Sequence, residues 1–346
     1  MRALADAQSG RKDAHCIAWA RVHVPSQTRA QHSQHQVSVD AINRLNINQT
    51  AFIMSRPAST LWHALLRSAR SKPNAPALIS PQQNLLLTYS QLRDKSKGLS
   101  EGLRERGVNL GDVVATDLPN VAEGIMLHLA CARLGAALAT AKNADMLNSI
   151  PAVVRCVVTP EQDSWLSNQS LAAPPILAGG DEMNSMLNRV HEDDSSLDTD
   201  DDEQASERAL GYFNSSKPLT HRSALLLGQD MKRHFNMTQD DRVCVSIMLY
   251  HAFGIGFACS SALLSGASIV LPVVGSLRGC GVPSQRAQVT LNMLVSEKCT
   301  LLFTDTHTLK ALHDDSESLN TAELTSLREG AVGTKPQLGL PITTRP

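Results

Sequence analysis

The stretch 87–137, LTYSQLRDKSKGLSEGLRERGVNLGDVVATDLPNVAEGIMLHLACARLGAA, decides the reading of the chain. Leu92, Leu99 and Leu103 form an apolar stripe at helical spacing, with Ser90 as the expected cap and Gly107 as the stop. GDVVATDLP then reads as a short buried strand, and NVAEGIMLHLACARLG as a helix closed by Gly135. Working outward, STLWHALLRSARSKP gives a helix capped by Ser59 or Thr60, with Leu61, Leu65 and Ala69 on one face. NAPALIS and NLLLTYS give two strands. AVVRCVVT, RVCVSIML, ASIVLPVV and TLLFTD continue the alternation. Val-rich strands separated by helices imply a layered α/β fold with largely parallel sheets covered by helices.

The chain has 346 residues with Lys+Arg 32 against Asp+Glu 33, a net charge of −1. That balance excludes a polybasic nucleic-acid surface. Seven scattered cysteines with no CxxC suggest neither a disulfide framework nor a zinc cluster, which points to a reduced intracellular compartment. The cytoplasm is the first expectation, with mitochondrion and peroxisome as alternatives. Residues 1–53 are rich in Gln, His, Ser and Arg and read as a disordered or targeting extension, while Met54 opens the stretch where order is expected. Residues 191–208, HEDDSSLDTDDDEQASER, read as an acidic linker within a domain spanning 54–330, and 331–346 as a tail.

Residues 243–274 contain no Asp, Glu, Lys or Arg and exceed the roughly 20 residues that cross a bilayer. His251, Gly254, Gly256 and Gly266 divide the run more naturally into a buried strand, a loop, a short helix and a second strand. No transmembrane span is expected, and membrane association through this run is the alternative. In GYFNSSKPLTHRSALLLGQDM, 211–231, a strand runs into a Ser-rich turn and a helix beginning near Thr220. Ser215, Ser216, Lys217 and Thr220 are candidate phosphate ligands there, since hydroxyls, an ammonium and turn N–H groups suit an anion. A plain polar strand-to-helix loop is the other reading of the same residues.

Taken in order, these segments resemble the adenylate-forming, AMP-binding ligases, the acyl-CoA and aryl-CoA synthetases. Tyr89, Gly107, Gly111, Asp112, Pro119, Asn120, Glu123 and Gly135 fall on that family's opening pattern. KPLTHRSALL is similar to the helix after its phosphate loop, and MLYHAFGIGFACSSALLSGASIVLP to the stretch where an aromatic–His pair lies beside the carboxylate substrate. The resemblance covers about 60–330 and implies a partial N-terminal domain of such an enzyme. It implies ATP, Mg²⁺ and coenzyme A as cofactors and a small fatty or aryl carboxylic acid as substrate. It makes Tyr250, His251 and Gly254 candidates for the acyl pocket.

The departures shape the functional expectation. The family's phosphate loop holds Ser/Thr-Gly-Thr-Thr-Gly before Pro-Lys; here Asn214-Ser215-Ser216 runs into Lys217-Pro218, and no glycine follows until Gly228. Residues 140–150 are a brief connection where the family has a helix and strand. Residues 331–346 match none of the family's adenine, ribose or catalytic-lysine stations. No catalytic residue is assigned. The expectation is a truncated relative whose ligase activity is weak or lost, with a non-catalytic module that binds an acyl or nucleotide ligand, or an intact homologue, as the alternative.

Overall fold

The computed structural model describes residues 58–161, 163–189, 203–213, 217–273, 282–314 and 324–333. The expected extension 1–53, most of the acidic run, Ser215 and Ser216 therefore lie outside the described residues. The chain opens a first sheet with β1 (Pro76–Ser80) and β2 (Leu85–Thr88). It then builds a second sheet from β3 (Val113–Thr116), β4 (Ala137–Thr140), β5 (Val154–Thr159), β6 (Ile176–Leu177), β7 (Ala209–Tyr212) and β8 (Leu219–Thr220). It returns to the first with β9 (Arg242–Ser246), β10 (Ser268–Val270), β11 (Leu301–Asp305) and β12 (Glu329–Gly333). The orders are β12-β11-β9-β10-β1-β2 and β6-β5-β3-β4-β7-β8. Among the described residues, only the β1–β2 and β7–β8 pairs are antiparallel.

Helices fill the space between and outside the sheets. α1 (Leu61–Ser71), α2 (Tyr89–Glu105) and α3 (Ala122–Leu134) carry Leu61, Leu65, Leu92, Leu99, Leu103 and Leu127 into one core with Val114 and Leu138 of one sheet and Val243 and Val245 of the other. Thr88, rather than Ser90, caps α2. Its hydroxyl accepts from Gln91 N–H at 3.3 Å while the Gln91 side chain accepts from Thr88 N–H at 2.9 Å. This reciprocal box starts the helix at Tyr89 and leaves Ser90 inside its first turn. Gly135 ends α3 with φ 69°, a left-handed position open to glycine.

The expected brief connection after β4 holds a short helix, α4 (Ala144–Asn148), whose Leu147 packs on Ala115 and Val157. α5 (Asp181–Leu187) follows β6, and α6 (Glu203–Glu207) occupies the end of the acidic run. Ala205 and Ser206 are buried there while Gln204 and Glu207 are exposed, so one face of this described part is packed, where an unpacked linker is expected. α7 (His221–His234) and α8 (Ser260–Ser265) join the shared core, while α9 (Pro283–Ser296) and α10 (Thr306–Asp314) flank the first sheet, Ala287, Leu291 and Leu312 packing with Cys244 and Leu302. β12 continues to Gly333, past the expected limit at 330.

The charge-free run divides into β9, a turn, a π-helix (Phe253–Cys259), α8 and β10. Among the described residues no helix is long and apolar enough to cross a membrane, which removes the span. The described cysteines, Cys131, Cys156, Cys244, Cys259 and Cys299, are free and buried.

Candidate functional site

Of the candidate residues, Lys217, Thr220, Tyr250, His251 and Gly254 are among the described ones; Thr220 ends β8 of the second sheet, and Tyr250 follows β9 of the first. β8 pairs antiparallel with β7, with Gly211 opposite Leu219, so a strand stands between β7 and α7 where the sequence suggests a direct step into the helix. Lys217 is exposed, two residues before β8. Thr220 caps α7, its hydroxyl accepting from Ser223 N–H at 3.2 Å, and His221 N–H donates to the Arg208 carbonyl at 3.1 Å. Two donors at this helix start are therefore taken by the chain itself. An anion meets fewer free N–H groups here than the sequence implies.

β4 lies beside β7, with Ala139 opposite Tyr212. Beyond β4, Lys142 reaches across to the first sheet. Its ammonium stands 3.2 Å from Tyr250 Oη and 4.6 Å from the Tyr250 ring centroid. Tyr250 is buried and His251 half-buried, their rings 5.9 Å apart. His251 is held by its backbone: its N–H donates to the Met248 carbonyl at 3.0 Å and its carbonyl accepts from Ile255 N–H at 3.1 Å. The π-helix that follows is clamped on this turn. A Cβ on Gly254 would lie 2.5 Å from the Met248 carbonyl oxygen, so this residue is small because backbone approaches backbone. A Cβ on Gly256 would lie 2.9 Å from the Leu219 side chain, which sets the π-helix directly against β8. Asn120 completes the junction by donating from Nδ2 to the Val245 carbonyl at 2.8 Å.

Three histidines with no clear sequence signal lie beneath. His128 packs 6.0 Å from the Phe213 ring, and burial, opposed by the Leu249 carbonyl, pushes its pKa down to about 4. His221 is pushed to about 3 by burial, with His63, Arg208 and His128 adding to the effect. Its Nδ1 accepts from Leu61 N–H at 3.3 Å, which leaves the proton on Nε2, a buried atom with no partner. Both are neutral imidazoles at pH 7. His63 Nδ1 faces Ser59 Oγ at 2.6 Å and Thr60 Oγ1 at 3.1 Å.

The described donors fit phosphate by charge, through Lys217 and Lys142, and not by a glycine cradle. Among the described residues no group of three or more His, Cys, Asp and Glu side chains is placed to hold a metal ion.

Two helix-covered, largely parallel six-stranded sheets define the fold of adenylate-forming enzymes. A putative long-chain-fatty-acid CoA ligase from Rhodopseudomonas palustris aligns with a TM-score of 0.61 at 19% identity, covering 80% of this chain and 70% of that one. The nonribosomal peptide synthetase FmoA3 aligns at 0.60 and 23% identity, over 79% of this chain and 28% of that one. Residues 65–150 match the AMP-binding enzyme family model. The chain is 22% identical over 325 residues to the putative acyl-CoA synthetase YngI of Bacillus subtilis, covering 80% of this chain and 56% of the relative. It is 23% identical over 347 residues to a mitochondrial medium-chain acyl-CoA ligase of Rattus norvegicus, covering 85% and 55%. The resemblance read from the sequence is thus shown at the level of family model, relatives and fold. The chain spans about half the length of these curated relatives.

Proposed function

We propose that this chain is an AMP-binding-type module that takes a small carboxylic acid beside Tyr250 and His251 and a nucleotide phosphate at Lys217, with Ser215, Ser216 and Thr220 as its neighbours. One observation supports the reading: Gly256 of the π-helix lies against Leu219 of β8, so the stretch that follows His251 runs beside the strand that follows Lys217. Ligands of open α/β sheets bind at the carboxyl ends of their strands. The intended chemistry is attack of a carboxylate on the α-phosphate of ATP, giving an acyl-adenylate and pyrophosphate, followed by attack of the coenzyme A thiol on the acyl carbon, which forms the thioester and releases AMP. ATP would supply the adenylyl group when bound. This chain's residues bind and orient: Lys217 offsets phosphate charge, and the His251 backbone bonds hold its ring against Tyr250.

Catalysis is weak or lost in this chain. Charge development at the α-phosphate calls for donors already aimed at it. Here His221 N–H and Ser223 N–H are spent on Arg208 and Thr220. The same two bonds favour the second reading, a module that binds without turnover. Carboxylate-dependent pyrophosphate release, with short, medium, long-chain and aromatic acids, with and without coenzyme A, separates them. The expected result is weak ATP binding by calorimetry, reduced in Lys217→Ala, with little or no pyrophosphate. Robust release abolished by Lys217→Ala restores the full ligase; tight ATP binding indifferent to Lys217→Ala removes the proposed site.

A further inference from the structure

We propose that Lys142 is an anion-binding residue of this site, holding an acidic oxygen group of the ligand between the ends of β4 and β9. The inference rests on the reading above for the ligand's class, and its oxyanion is either a nucleotide phosphate or the carboxylate of the acid.

Four observations converge. Lys142 is half-buried, and its contacts among the described residues are the Tyr250 hydroxyl and ring, with no carboxylate. An ammonium has three donors, and the phenol takes one. A cation drawn partly out of water without a counter-charge is costly, and a ring face returns only part of that. Lys142 also sits at the switch point of the second sheet. Val114 and Leu138 pack with α3, while the alternate residues Ala115 and Ala141 pack with α4, so the chain leaves β3 and β4 toward opposite faces. A crevice opens between two such strand ends. At the same ends Thr140 Oγ1 and Asn120 Oδ1 are buried without hydrogen-bond partners. Finally, the Lys142 backbone is fixed, because the Asn143 side chain accepts from Met146 N–H at 2.9 Å and begins α4 immediately after it. The charge is aimed by its strand and helix, and the nearest ring is the one already assigned to the acid.

Calorimetry on the full chain uses two matched pairs: ATP against adenosine, and octanoate against octanamide. Lys142→Met is expected to weaken one anion of the pairs about tenfold, the loss of roughly one charge-assisted hydrogen bond, and to leave its neutral partner unchanged. Loss in the ATP arm assigns the phosphate; loss in the octanoate arm assigns the carboxylate. Lys142→Arg keeps the charge and the binding, and the melting temperature of both variants stays near that of the wild type. Equal binding of both anions by Lys142→Met and wild type overturns the inference, as does an equal loss for anion and neutral partner. A lowered melting temperature with intact anion preference also overturns it, since that is the behaviour of a strut between the sheets. Should the wild type bind neither anion, the functional reading falls by itself. Lys142 is then judged with inorganic pyrophosphate in a thermal-shift assay: protection of wild type but not of Lys142→Met supports it, and no protection overturns it.

Discussion

His221 and His128 are rings with nowhere to place a second proton. Both are buried, with pKa values pushed to about 3 and about 4 against an ordinary 6.5. The unfolded chain protonates them first, so falling pH favours unfolding. Stability is fully present above about pH 6.5 and is lost between there and pH 3–4, on the order of a few kcal/mol for each ring. His221→Asn retains an acceptor for Leu61 N–H and removes one titration. Urea midpoints at pH 7 and pH 5 are expected to differ less in this variant than in the wild type; an unchanged difference rules out His221 as a source. Nothing in the sequence singles these rings out, since a histidine in an amphipathic pattern reads as polar, and burial depends on which way α3 and α7 face. Lys142 escaped for a similar reason: its meaning lies in Tyr250, 108 positions away. Tyr250 and His251 became candidates only through the family resemblance, which sets an aromatic–His pair in this stretch; no periodicity or spacing of their own marks them.

The charge-free run 243–274 shows what can be read at the scale of an element. Its glycines and the fresh Ser-Ile-Val strand announced the division into strand, loop, helix and strand. The π-turns of Phe253–Cys259 did not, because a shift from i+4 to i+5 hydrogen bonding leaves no mark in composition. Ser260 N–H donating back to the Ile255 carbonyl is the bond that makes the shift. Gly254 is where the π-helix presses on the turn before it. A methyl there meets the Met248 carbonyl, backbone that has no rotamer with which to yield. Gly254→Ala is therefore expected to cost about 1–3 kcal/mol by overpacking and to displace Tyr250 and His251. Thermal denaturation and the pattern of acid binding read the two effects. An alanine variant as stable as the wild type would mean that the turn relaxes freely and that Gly254 is small for the ligand instead.

For the whole molecule, the alternation of strands and helices foretold parallel, covered layers, but not that there are two sheets. Pairing is long-range: β1 lies against β10, Leu78 opposite Ile269, and no local pattern reports that. Asp241 shows how distant strands are tied. Buried just before β9, it accepts from Thr238 N–H at 2.8 Å, Thr300 Oγ1 at 2.7 Å, and Arg328 Nε and Nη2 at 3.1 and 2.9 Å. Burial pushes its carboxyl up, but the Arg328, Thr238 and Thr300 bonds outweigh it and hold the pKa below the usual carboxylate range. Arg328 also donates to the Phe235 carbonyl, so one ion pair joins the end of α7 to β9, β11 and the start of β12. Asp241→Asn keeps the shape, loses the charge and turns an acceptor oxygen into a donor facing Arg328. The expected cost is about 2 kcal/mol, below the usual range for broken buried pairs because Arg328 is partly exposed. The position of the pair dictates where the loss appears. Hydrogen exchange is expected to quicken in 301–305 and 329–333 while 113–116 and 137–140, in the other sheet, keep their protection. Equal quickening in both sheets would instead make the shared helical core a single cooperative unit, in which loosening β12 loosens the site edge with it.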